Sequence, residues 1–156
     1  VTKLLLSLHV LAAVLAVGPV TVAASMFPPA LRRALGDSAA SHEGDALTTL
    51  RTLHRICRVY AGIGLAVPVL GFATAIDMGV LGGIWLTVSI LLTGAAAGVL
   101  ALLILPAQDA ALAAAGAPGS APPAPARLAM LTGAFNLLWA TVTVLMIVRP
   151  GSTTGA

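Results

Sequence analysis

Few side chains in this 156-residue chain could do chemistry: three histidines, one cysteine and five carboxylates. His9 stands between Leu8 and Val10 in an apolar run. An imidazole in such a place is either a hydrogen-bonded structural group or an axial ligand for haem or a metal. His54 is the obvious second ligand, but it falls at the opposite end of an antiparallel neighbour. At about 1.5 Å of rise per residue across a core of roughly 30 Å, the two rings should differ in depth by about 20 Å. Bis-histidine ligation within one chain is therefore disfavoured. His42 and Glu43 are adjacent donors with no third ligand, short of a metal site.

Cys57 is the single cysteine, which excludes an internal disulfide and any multi-cysteine metal centre. It reads as a small buried residue at the foot of the second helix. Asp77 is expected at a turn and Asp109 follows Pro106, so no two carboxylates are paired inside the membrane, as proton pumping or ion-coupled transport would want. No Ser–His–Asp ordering, zincin motif or phosphate loop is present, and an enzyme is the least favoured class.

These residues must be positioned by four apolar stretches, 4–27, 56–76, 84–105 and 128–148, each about long enough to cross a bilayer as one helix. The composition is 59% hydrophobic and 8% charged, with a mean hydropathy of +1.05, which leaves little room for a water-soluble domain. The expected fold is all-α: a polytopic membrane protein built as a four-helix bundle, one membrane domain over residues 1–156. Its helices are placed at about 3–27, 46–76, 82–105 and 127–148. Pro28 and Pro29 are expected to stop the first helix and open a polar loop over 28–45. Gly82 and Gly83 mark a tight turn that should make helices two and three adjacent, and residues 107–126, rich in Ala and Pro, read as a short helical extension followed by a linker from about Gly116 onward.

The formal charge is +3 and the pI about 10.0, yet only 4% of residues are aromatic and the arginines flank spans, so nucleic-acid binding is excluded. Arg51, Arg55 and Arg58 recur at four and three residues and form one basic, lipid-facing stripe for anionic head groups. Arg32, Arg33 and Arg127 join them on one side of the membrane against Lys3 and Arg149 on the other. The positive-inside rule then puts both termini outside a bacterial plasma membrane.

Because lipid gives helices no hydrophobic drive to associate, small residues mark the packing faces. Gly62, Gly64 and Gly71 in helix two and Gly94 with Gly98 in helix three supply them, and Asn136 in helix four needs a polar partner inside the bundle. Pro19 and Pro68 each free a carbonyl one turn back.

Residues 5–11 (LLSLHVL), leading to Gly18, resemble the start of a family of bacterial integral membrane proteins of unknown function, number 2269 among the domains of unknown function. The plan of four helices with a longer first loop is similar too, over roughly residues 3–148. Leucine–histidine openings followed by glycine also occur in the copper-resistance D family, a likeness that implies contact of His9 with a metal or haem. The second glycine and the tryptophan expected after it are absent, Gly18 being followed by Pro19. The Ala-rich, Arg-over-Lys composition looks actinobacterial. Three functions are expected on these grounds. The first is a structural or accessory component of a larger membrane complex or homo-oligomer, in contact with membrane lipids and needing no cofactor. The second is a haem- or metal-binding protein using His9, and the third a small transporter or channel lined by Pro19, Pro68 and Asn136.

Overall fold

The computed structural model describes residues 1–36, 40–115 and 122–151, with side chains of the second helix described from Gly44 onward. Helices α1 (Thr2–Gly36), α2 (Ala40–Gly64), α3 (Ala66–Asp77), α4 (Ile84–Gly98), α5 (Leu105–Ala115) and α6 (Pro125–Val148) succeed one another along the chain, with a π-helical turn at Val99–Ile104 between α4 and α5. Among the described residues they make four rods long and apolar enough to cross a membrane: Thr2–Gly36, Gly44–Asp77, Ile84–Ala115 and Pro125–Val148. The chain is thus an all-α four-helix bundle and a multi-pass membrane protein, as its apolar stretches require. Helices are the outcome because hydrocarbon cannot hydrogen-bond an exposed backbone.

The first rod departs from the sequence expectation, for α1 does not stop at Phe27 but runs through Pro28 and Pro29 to Gly36. Pro28 has no N–H to return to the carbonyl of Ala24, one turn back. The Thr132 hydroxyl of α6 donates to that carbonyl at 3.4 Å, so a neighbouring helix replaces what proline removed. The polar loop expected over 28–45 is correspondingly short, since α2 has begun by Ala40.

The third rod is also longer than its apolar stretch. Residues 107–115 are helical, the extension expected beyond Pro106; residues 116–121, where the linker is expected to begin, lie outside the described residues. Leu105 donates to Leu100 O, five residues back, in the π-helical turn. That widened turn stands immediately before Pro106, where the ordinary ladder would lose a donor anyway, and it re-aims the residues beyond it.

The second rod is interrupted at Leu65, whose N–H reaches only to Gly62 O at 3.2 Å, and Pro68 lies in the next turn. α3 then ends in a Schellman-type closure: Val80 donates to Ala75 O at 3.1 Å, with Gly79 at φ +67. Gly79 is where the turn needs a residue free of the Cβ penalty.

α1 is the hub, packing on α2, α3 and α6, while α4 lies along α6 and α5 along α2. The tight turn after α3 therefore does not hold α3 against α4 along their length. α3 leans on α1, and the second and third rods meet mainly at their far ends, through α2 and α5. Three buried clusters fill the bundle: Phe27, Leu31, Leu50, Cys57 and Leu128 toward the loop end, Val20, Ala96, Leu100 and Phe135 in the middle, and Ala75, Trp85 and Leu86 toward the termini. At that last end Arg149, left-handed at φ 46, closes α6 and lays its guanidinium 5.8 Å from the Trp85 ring centroid, a cation–π contact at the membrane boundary.

Thr132→Val keeps the shape of the side chain and deletes the bond to Ala24. We expect it to lower stability by roughly 0.5–2 kcal/mol in thermal unfolding in detergent; an unchanged midpoint would show that the Pro28 kink needs no partner.

Candidate functional site

The residues that the fold brings together for chemistry are His54 and Cys57 on α2 and Gln108 and Asp109 on α5. α2 begins as an amphipathic helix. Leu50, Leu53, His54 and Cys57 are buried on one side, and Arg51, Arg55 and Arg58 are exposed on the other. The π-helical turn and Pro106 then set Gln108, fully buried, opposite His54.

Within the cluster, His54 Nδ1 lies 3.0 Å from Gln108 Oε1, and Gln108 Nε2 donates to Cys57 Sγ at 3.6 Å. His54 Nε2 lies 2.9 Å from Asp109 Oδ1. The carboxylate is off the line of the ring N–H, so Nε2 has no aligned hydrogen bond and the contact is electrostatic. In this arrangement Nδ1 carries a proton, and the imidazole faces Asp109 either with a bare lone pair or as imidazolium. Turning the Gln108 amide over gives the other consistent chain, Cys57 S–H to Oε1, Nε2–H to Nδ1, and His54 Nε2–H toward Asp109. In either amide orientation the cluster ties the second rod to the third. Cys57, fully buried, is no exposed nucleophile.

His9 lies elsewhere. Its Nδ1 is 3.0 Å from Val67 O in α3, and it fills the hollow left by Gly71, where a Cβ would come within 2.8 Å of the imidazole. Thr2 donates to Asp77 toward the same end. His9 and His54 thus answer to opposite ends of the second rod, and the described side chains do not bring them together. Among the described residues no group of three His, Cys, Asp or Glu is placed to hold a metal ion. The side chains of His42 and Glu43 lie outside the described residues.

The expected packing glycines divide into two sets. Gly64 stands 3.8 Å, measured from a built Cβ, from Ala16 of α1, and Gly71 cradles His9, whereas a Cβ on Gly62, Gly94 or Gly98 would meet nothing. The three residues expected to line a transport path do not share one cavity. Pro68 borders an apolar space of about 120 Å³ in mid-bundle, among Tyr60, Thr93 and Trp139, while Asn136 borders a groove of about 270 Å³ between α1 and α6. Pro19 lines neither. The partner found by Asn136 is Ser25, its Nδ2 donating to Ser25 Oγ at 3.2 Å.

No family model, no curated protein and no solved structure matches this chain. What its fold and described side chains define is a class, a small all-α integral membrane protein.

Removing Gln108 and removing the Asp109 charge should have unequal effects. Gln108→Leu strands a buried imidazole and is expected to cost about 1–3 kcal/mol, whereas Asp109, with a side chain 59% exposed, should tolerate Asn within about 1 kcal/mol. Thermal unfolding of both variants checks the order, and a reversed order would place the weight of the cluster on the ion pair.

Proposed function

We propose that this protein is an accessory or structural component of a larger assembly in the bacterial plasma membrane, docked through the outer face of its third rod. The observation that carries the reading is the openness of Gly94 and Gly98. They are spaced one helical turn apart, and no described residue stands within 4 Å of where their Cβ atoms would be. Leu91 and Leu102 are exposed beside them. Small residues four apart allow a second helix backbone to approach closely, which is what drives association where lipid supplies no hydrophobic force. A glycine pair facing only acyl chains would give up helix propensity for no gain.

The arginines support a matching orientation. Arg32, Arg33, Arg51, Arg55, Arg58 and Arg127 gather where α1 ends and α2 and α6 begin, against Lys3 and Arg149 at the other end. That distribution favours the arginine-rich end in the cytoplasm and both termini outside.

The test is affinity purification from native membranes in mild detergent, with mass spectrometry of what is retained. The wild type is expected to keep a stoichiometric partner, or a second copy of itself, and the double variant Gly94→Leu, Gly98→Leu is expected to lose it. Because the added side chains point into open space, the variant should unfold at the wild-type temperature. Retention of the partner by a folded double variant would overturn the reading.

A second reading comes from the way His9 is held. With Nδ1–H directed to Val67 O, a neutral imidazole keeps its lone pair on Nε2, the state that ligates a metal or haem iron. Further ligands would then come from another chain. Visible absorption or bound metal in the purified protein, lost in His9→Ala, is the expected sign; a colourless, metal-free wild type purified together with its partners would remove this reading.

A further inference from the structure

The groove between α1 and α6 has a composition that neither the bundle core nor the docking face explains. On α1 it is walled by Ser25, Pro28, Pro29 and Arg32, and on α6 by Ala129, Thr132, Gly133 and Asn136. Both walls have the same spacing, with steps of three, one and three residues, so each is a single helical stripe. The stripes run in opposite chain directions. The Asn136–Ser25 bond fixes their deep ends together, which leaves Arg32 and Ala129 at the arginine-rich boundary. Seven residues at about 1.5 Å each make the groove about 10 Å long from boundary to floor.

We propose that this groove is a binding site for one anionic glycerophospholipid. Arg32, exposed at the mouth, meets the phosphodiester, and the guanidinium fork suits its two oxygens. Nearly two turns below, Asn136 gives one amide hydrogen to Ser25 and retains a second, free to donate to an ester carbonyl of the lipid. Hydrocarbon tails alone would leave that second amide hydrogen unpaired at a cost. Ala129 and Gly133 keep the α6 wall low, and a Cβ on Gly133 would meet nothing within 4 Å. Arg33 and Arg127 at the same end favour a lipid of net negative charge over a zwitterionic one. The proposal does not depend on the docking face of α4, which lies on another rod.

The experiment is native mass spectrometry of the full-length protein in detergent, titrated with dioleoyl phosphatidylglycerol and, separately, with dioleoyl phosphatidylcholine. For the wild type, the first phosphatidylglycerol is expected to bind about five-fold or more tightly than phosphatidylcholine. Arg32→Gln should weaken it by about five-fold, and Gly133→Leu, which fills the groove without removing charge, by a similar factor. Arg33→Gln, one residue away and outside the groove, should change it by less than about two-fold. Inorganic phosphate at millimolar concentration should not compete. Equal losses in Arg32→Gln and Arg33→Gln would reveal only a diffuse basic surface and overturn the site, as would wild-type binding by Gly133→Leu or indifference between the two lipids. The Arg32 and Arg33 comparison decides the matter even if Gly133→Leu does not fold, and partner retention plays no part in it.

Discussion

The constraint on which the structure depends is that hydrocarbon offers a backbone no hydrogen bonds, so one lost inside a rod is costly unless the protein makes it up. This chain puts prolines into its rods at Pro19, Pro28, Pro29, Pro68 and Pro106. At Pro28 the compensation comes from another helix, the Thr132 hydroxyl meeting the Ala24 carbonyl. Around Pro68 the helix breaks at Leu65, and before Pro106 it widens into a π-helical turn. Each repair has a positional consequence. The first binds α1 to α6, the second separates α2 from α3 so that α3 can lean on α1, and the third turns Gln108 toward His54. The prolines thus set the contacts between rods rather than simply weakening the rods that contain them.

Two polar ties hold the bundle at opposite levels, and they differ in kind. Toward the termini, His9 fits into the space of Gly71 and bonds a main-chain carbonyl, a contact that leaves the partner helix's side chains out of the matter. Toward the loops, His54 is met by side chains alone, and the sulfur, amide, imidazole and carboxylate form a chain in which the direction of every hydrogen bond depends on the next. The first tie has one arrangement, whereas the second has at least two that conserve its contacts.

The four crossings were legible because an apolar run of this length has only one stable form in lipid. The ends of the rods were not. Reading Pro28 and Pro29 as a stop assumes that the freed carbonyls find no donor, and the donor, Thr132, is more than a hundred residues away in the chain. The same locality hides the His54 cluster: the helical extension beyond Pro106 is readable from its alanines, which are strong helix formers, but they carry no periodic pattern to show that Gln108 and Asp109 face His54. Gly71 was readable as a packing residue but not as the seat of His9, since spacing along one helix says nothing of what stands opposite. Asn136 was expected to need a partner, and Ser25 supplies it; the groove that the pair floors arises from two stripes on different helices.

The glycines make the sharpest physical division in the molecule. Gly64 and Gly71 have α1 against them, and their lack of a side chain is already used by Ala16 and His9. Gly94 and Gly98 have an equal lack of side chain and no occupant. In water an exposed glycine in a helix costs roughly 1 kcal/mol relative to alanine; in a membrane the same backbone cost brings a return when a neighbouring group comes close enough to use the flat surface. α1 gathers the inward-facing small residues into a bundle that is complete on that side, with α2, α3 and α6 around it. α4 packs mainly along α6, and no described residue stands over Gly94 or Gly98. The flat surface left on α4 thus has the same form as the surfaces that Ala16 and His9 occupy on the second rod.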